Sequence, residues 1–136
     1  MTSKKLQLAL YAGFGCRRGC PVEVLDALLR QALDRHGLAL TALQGIASIA
    51  LKADEPGLQQ LAKRYNLSLV VFEASQLQAF EPLLSHRSAQ AFAHSGCWGV
   101  AESAALALAH RDVGKATLRV TRQSLGPATL ALACGG

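Results

Sequence analysis

At 136 residues, 51% of them hydrophobic, the chain is long enough for one domain, residues 1–136 without a linker, that buries roughly two-thirds of its unfolded surface. Fourteen Lys and Arg against nine Asp and Glu leave a net charge of +5, which favours acidic partners. Dispersed basic residues, few aromatics and no nucleic-acid motif argue against nucleic acid, and no apolar run approaches the roughly 20 residues that span a membrane.

Lys4-Lys5 followed by the apolar residues 6–12 has the outline of a short secretion signal. Gln7 interrupts that run, however, and Arg17-Arg18 stand where a small-residue cleavage site would be required. Residues 6–12 are therefore read as the first buried strand of a cytoplasmic protein. The strand runs into Gly13-Phe14-Gly15-Cys16-Arg17-Arg18-Gly19, ahead of Pro21 in the first turn of the next helix. Glycines permit a tight turn and close backbone approach, and a helix N-terminus adds free N–H groups and partial positive charge. The two arginines add guanidinium forks that pair carboxylates or phosphates. The turn suits an anionic ligand; the competing reading is a solvated basic turn. Its glycine spacing is not that of a dinucleotide loop, and no Gly-Lys-Ser/Thr follows, so the sequence supports an anion and not a nucleotide.

The four cysteines, Cys16, Cys20, Cys97 and Cys134, are too few and too scattered for a disulfide scaffold and are read as free thiols. Cys16-x-x-x-Cys20 lacks zinc spacing and a second pair, so no metal site is expected. Cys16 beside two arginines and a helix start has surroundings that can lower a thiol pKa, as for a nucleophile. Packing or close ligand approach is the favoured reading.

Residues 22–36 place Leu25, Leu28, Leu29, Ala32 and Leu33 on one helical face, with Gly37 as C-cap. Residues 46–51 read as a second buried strand, ending in Lys52-Ala53-Asp54-Glu55-Pro56-Gly57. Asp54 or Glu55 is expected to cap a helix carrying Leu58, Leu61, Ala62 and Tyr65, whereas Lys52 has no such structural duty and is the better functional candidate. Residues 67–72 make a third strand, followed by Ser75-x-x-Gln78 as a capping box opening a short helix. Strands alternating with helices imply parallel pairing, with both unusual turns beyond the carboxyl ends of the strands, where ligands bind in such sheets.

Residues 85–99 read as irregular, with His86, His94 and Trp98 among small residues and no histidine spacing for a metal. An alanine-rich helix follows at residues 100–110, with Glu102 in its first turn. Glu102 either meets the helix dipole or joins the cleft of the arginine turn, orienting Arg17, Arg18 or Lys52 or accepting a hydrogen bond from the ligand. Residues 117–122 alternate, residues 123–127 turn, and residues 128–133 are apolar: a closing antiparallel hairpin. The expected fold is a three-layer α/β/α domain with a mixed sheet of about five strands, the first three parallel.

Four segments in this order, residues 13–19, 51–58, 99–106 and 128–133, resemble the CobE and CbiG C-terminal domain family of cobalamin biosynthesis. The likeness covers nearly the whole chain and is to the family's stand-alone form rather than its longer, multidomain form. It implies a role in building the corrin ring, with a corrinoid or precorrin polycarboxylate as ligand, no cofactor, and other cobalamin-biosynthesis enzymes as partners. The positions that match the motifs are Gly13, Gly15, Cys16, Arg17, Arg18, Lys52, Asp54, Glu55 and Glu102. The chain departs from the pattern at Arg122, where members commonly carry a lysine, which keeps charge but loses proton-transfer ability. The resemblance leaves three roles open: corrinoid-binding accessory or carrier, small hydrolase or lyase on a corrin precursor, and non-catalytic partner of another biosynthetic enzyme.

Overall fold

The computed structural model describes residues 9–96 and 98–135, with the side chains of 91 and 94 outside the description. Lys4, Lys5, the start of the expected first strand, His94 as a side chain and Cys97 therefore lie outside the described residues. Strand β1 (Leu10–Cys16) leads to helix α1 (Val22–Arg35), strand β2 (Leu43–Ile49), helix α2 (Pro56–Arg64) and strand β3 (Leu69–Phe72). Helices α3 (Ala74–Gln78), α4 (Ala89–Ser95) and α5 (Val100–Val113) follow, and strands β4 (Thr117–Leu125) and β5 (Ala128–Cys134) close the chain.

The sheet has five strands in the order β3-β2-β1-β5-β4. Strands β1, β2 and β3 are parallel, and β5 is antiparallel to both β1 and β4. This is the expected mixed α/β architecture, and alternation along β1 explains its layers. Leu10, Ala12 and Phe14 are buried in one cluster with Leu25, Leu28, Leu29, Leu58 and Leu61 of α1 and α2. Tyr11 is buried in a second cluster with Ala47, Ala131, Ala133 and the alanines of α5.

Gly13 lies under α5. A Cβ built there would stand 2.0 Å from the Ala101 carbonyl oxygen and 2.4 Å from the Ala105 amide nitrogen, so only glycine lets that helix approach the sheet this closely. No helix among the described residues is long and apolar enough to cross a membrane.

Several boundaries differ from those read in the sequence. Strand β2 ends at Ile49 because Ala50–Lys52 turn into a 3-10 segment. The capping box lies at Glu73 and Gln76 rather than Ser75 and Gln78, with the Glu73 N–H donating to Gln76 Oε1 at 2.8 Å. Within the stretch read as irregular, Ala89–Ser95 is helical. Helix α5 runs on to Val113, where Gly114 caps it at φ 79°.

Candidate functional site

At the carboxyl ends of β1 and β2 an open cleft of about 380 Å³ is lined by residues from five parts of the chain. Gly15, Cys16 and Arg17 come from β1 and its turn; Ile49, Leu51 and Lys52 come from the end of β2. Trp98, Gly99, Val100 and Ala101 belong to the start of α5 and its approach, Arg122 to β4, and Pro127 and Thr129 to the hairpin. Beyond β1 in the sheet stands β5, which the chain reaches only after turning back from β3, so the cleft sits at the change of strand order, where open sheets leave a crevice.

Hydrogen bonds hold this edge in place. The buried Ser48 hydroxyl donates to the Phe14 carbonyl at 2.7 Å, tying the ends of β1 and β2 together. The Arg17 N–H donates to the Pro127 carbonyl at 3.0 Å, joining the arginine turn to the hairpin. Gly19, at φ 79°, lets the chain reverse into α1.

The sequence-predicted residues divide. Gly15, Cys16, Arg17 and Lys52 line the cleft. Gly13 is packed beneath α5 instead, and Arg18 and Asp54 are exposed outside the described lining. Glu55 does not cap α2 with its side chain as expected. Buried, it accepts a hydrogen bond from the Gly19 N–H at 2.7 Å, and its other oxygen lies 3.9 Å from Lys52 Nζ, so one carboxylate links the two unusual turns.

The positive helix end at the cleft also differs from expectation. Gly99, Val100 and Ala101 of α5 form the wall, whereas Pro21 and Val22 at the start of α1 border a separate depression of about 210 Å³ beside Glu55. The first N–H groups of α5, which have no intrahelical acceptors, thus belong to the cleft edge.

Glu102 is 1% exposed and makes no ion pair with Arg17, Arg18 or Lys52. It accepts hydrogen bonds from the Ser85 N–H at 2.8 Å, the Arg122 N–H at 2.9 Å, the His86 N–H at 3.3 Å and the Ser85 hydroxyl. Burial pushes its pKa up, but the bonds from the Ser85 hydroxyl and the three backbone N–H groups outweigh burial and hold it below the ordinary carboxylate value. Instead of orienting Arg17, Arg18 or Lys52 as expected, Glu102 clamps the 85–86 loop and β4 to the start of α5.

Sequence patterning missed how β4 serves the cleft. Val120 pairs with Leu132 and Gln123 with Leu130, so Thr121 and Arg122 oppose the single residue Ala131. This bulge frees the Arg122 N–H for Glu102 and brings Arg122 into the cleft lining. The departure from lysine was legible in the sequence, but the bulge was not.

Cys16 is no activated thiol. Burial pushes its pKa up to about 11 and outweighs the lowering influence of Lys52. Among the described residues no group of His, Cys, Asp and Glu is arranged to hold a metal ion. The cleft lining thus carries Arg17, Lys52 and Arg122, apolar walls from Ile49, Leu51, Trp98 and Val100, and, among the described residues, no carboxylate.

Fold and site define a small α/β protein whose cationic, apolar-walled cleft opens at the switch in its sheet. Residues 10–133 match the family described as Cobalamin synthesis G C-terminus, and the chain belongs to that family of cobalamin biosynthesis. It is 36% identical over 131 residues to Protein CobE of Sinorhizobium sp, covering 93% of this chain and 85% of that one. A crystal structure of CobE, a protein from the cobalamin (vitamin B12) biosynthetic pathway, superposes with a TM-score of 0.89 at 45% identity, covering 93% of this chain and 90% of that one. The chain is also 26% identical over 124 residues to the Cobalt-precorrin-5A hydrolase of Priestia megaterium, matching 91% of this chain but only 32% of the hydrolase.

Proposed function

We propose that the cleft binds a polycarboxylate corrin precursor and that the protein serves as an accessory or carrier in the cytoplasm. The observation that carries this reading is the lining: cations from three separate elements around apolar walls, with no carboxylate among its described residues. A corrin precursor presents acetate and propionate groups around an apolar ring, the complementary pattern. The volume of about 380 Å³ falls in the range of small-molecule sites, and the openness of the cleft lets a larger ring protrude. Free Cys16, Cys20 and Cys134 fit a reducing compartment.

The likeness to part of a hydrolase favours a second reading, turnover of the bound precursor. Two features weigh toward carriage. Near neutral pH the Cys16 thiol stays protonated, and Glu102 stays ionised and faces structural donors, so neither supplies a thiolate nucleophile or a carboxylic acid.

Titration of the purified protein with a panel of corrin intermediates, followed by absorbance, tests the proposal. Binding shifts the chromophore spectrum, and Arg17→Ala weakens it roughly tenfold, the scale of one charge-assisted contact, while the outlying Arg18→Ala changes it much less. Slow conversion of the bound chromophore would move the assignment to the hydrolase. No spectral shift with any intermediate would overturn binding and leave a structural partner of another biosynthetic enzyme.

A further inference from the structure

We propose that Trp98, braced by Phe92, is the platform on which the apolar ring of the ligand lies, separately from the cations that hold its carboxylates. The inference rests on the corrinoid reading of the cleft. Phe92 and Trp98 are stacked, with ring centroids 4.6 Å apart and planes 19° from parallel. Phe92 is 41% exposed, so the pair is not a core contact, and Trp98 itself contributes to the cleft lining.

The indole is anchored through its own backbone: the Trp98 carbonyl accepts a hydrogen bond from the Ser88 N–H at 2.8 Å, which closes the loop carrying α4. Leu51, 64% exposed and also in the lining, adds a second apolar surface from the end of β2. Large apolar side chains left in water beside a cation-lined cleft suit a ligand that is apolar in its body and anionic at its rim. A carboxylate-rich aliphatic ligand would use the cations and leave the indole idle; a flat macrocycle uses both. Stacking on an aromatic side chain changes affinity roughly 5- to 150-fold per ring in the comparable case of nucleobases.

The test separates ring from rim with two probes, a stable corrin polycarboxylate such as cobyrinic acid and its methyl ester, which keeps the ring and loses the charges. Trp98 is the single tryptophan, so its emission reports occupancy alongside the ligand's absorbance. Trp98→Ala is expected to weaken both probes roughly tenfold, and Trp98→Phe to keep both within a few-fold. Leu51→Ser, a surface change that spares the fold, is expected to weaken both a few-fold, whereas Arg17→Ala weakens only the acid. Trp98→Ala and Leu51→Ser variants that bind the acid as the unaltered protein does, while Arg17→Ala does not, would overturn the platform and leave the anion site standing. If the unaltered protein binds neither probe, the corrinoid reading falls and the platform with it.

Discussion

Glu102 ties two walls of the cleft, β4 and the start of α5, to the 85–86 loop at one side chain, because its two oxygens collect donors from Ser85, His86 and Arg122 while its own backbone starts α5. A neutral amide cannot replace it, since one end of Gln would turn an N–H group toward donors. Glu102→Gln is expected to cost about 3 kcal/mol of folding stability, measured by chemical denaturation at neutral pH. The pH dependence follows from the sign of the shift. The folded pKa lies below the ordinary value of 4.5, so this stabilisation is fully present above the unfolded pKa and is lost as pH falls through the folded one. The unaltered protein should lose stability on acidification below about pH 5 more steeply than Glu102→Gln; parallel slopes would show that the carboxylate is not ionised in its pocket. Cys16 makes a contrasting case at the same scale. With its thiol raised to about 11, Cys16 should react with iodoacetamide near pH 8 much more slowly than glutathione does, and Cys16→Ser should keep ligand affinity within a few-fold.

Helix α5 and the bulged strand β4 decide the cleft's shape, and they mark the limit of what patterning reveals. Helices α1 and α2 were legible because their leucines repeat at helical spacing, and the parallel strands because short apolar runs alternate with those helices. Their ends were less so: residues 50 and 51 continue the apolar run of β2, yet Ala50–Lys52 turn into a 3-10 segment closed by the Ala53 N–H donating to the Ala50 carbonyl at 3.0 Å. The bulge at Thr121 and Arg122 leaves no mark in an alternating segment, since one extra residue shows only against the partner strand. Glycine carries its signal ambiguously. In Gly13-x-Gly15 both residues looked like ligand-approach positions, yet Gly15 lines the cleft while Gly13 admits α5. Gly13→Ala should therefore act through the helix: a methyl group 2.0 Å from the Ala101 carbonyl must push α5 away from β1. The expected loss is about 2 kcal/mol or more in denaturation midpoint analysis, with weakened ligand binding because Val100 and Ala101 move. Unchanged stability would mean that the packing of α5 on β1 is looser than these distances state.

For the molecule as a whole, the net charge of +5 sets another account beside the proposed binding of a polycarboxylate in the cleft, and a single affinity cannot separate the two. A uniformly cationic surface attracts any polyanion, whereas the strand order gathers Arg17, Lys52 and Arg122 at one edge from segments more than a hundred residues apart in sequence at the extremes. The sequence made the first account visible through its composition, and the second only through the expectation that both turns lie at the carboxyl edge; Arg122 joins them because the hairpin folds back beside β1 and β4 bulges at Thr121 and Arg122. Lys115 supplies the control. It is exposed beyond the carboxyl end of α5, whose 14 residues span about 21 Å from the cleft end, well past the screening length of about 8 Å at physiological ionic strength. If the gathered cations hold the ligand, Arg122→Ala should weaken binding of a corrin polycarboxylate roughly tenfold at physiological salt and flatten the dependence of affinity on salt. Lys115→Ala, which removes the same unit of net charge, should leave both affinity and salt slope within error under those conditions. Equal effects from the two variants, measured by titration across a salt series, would return the binding to overall charge and strip the cleft of its specific role.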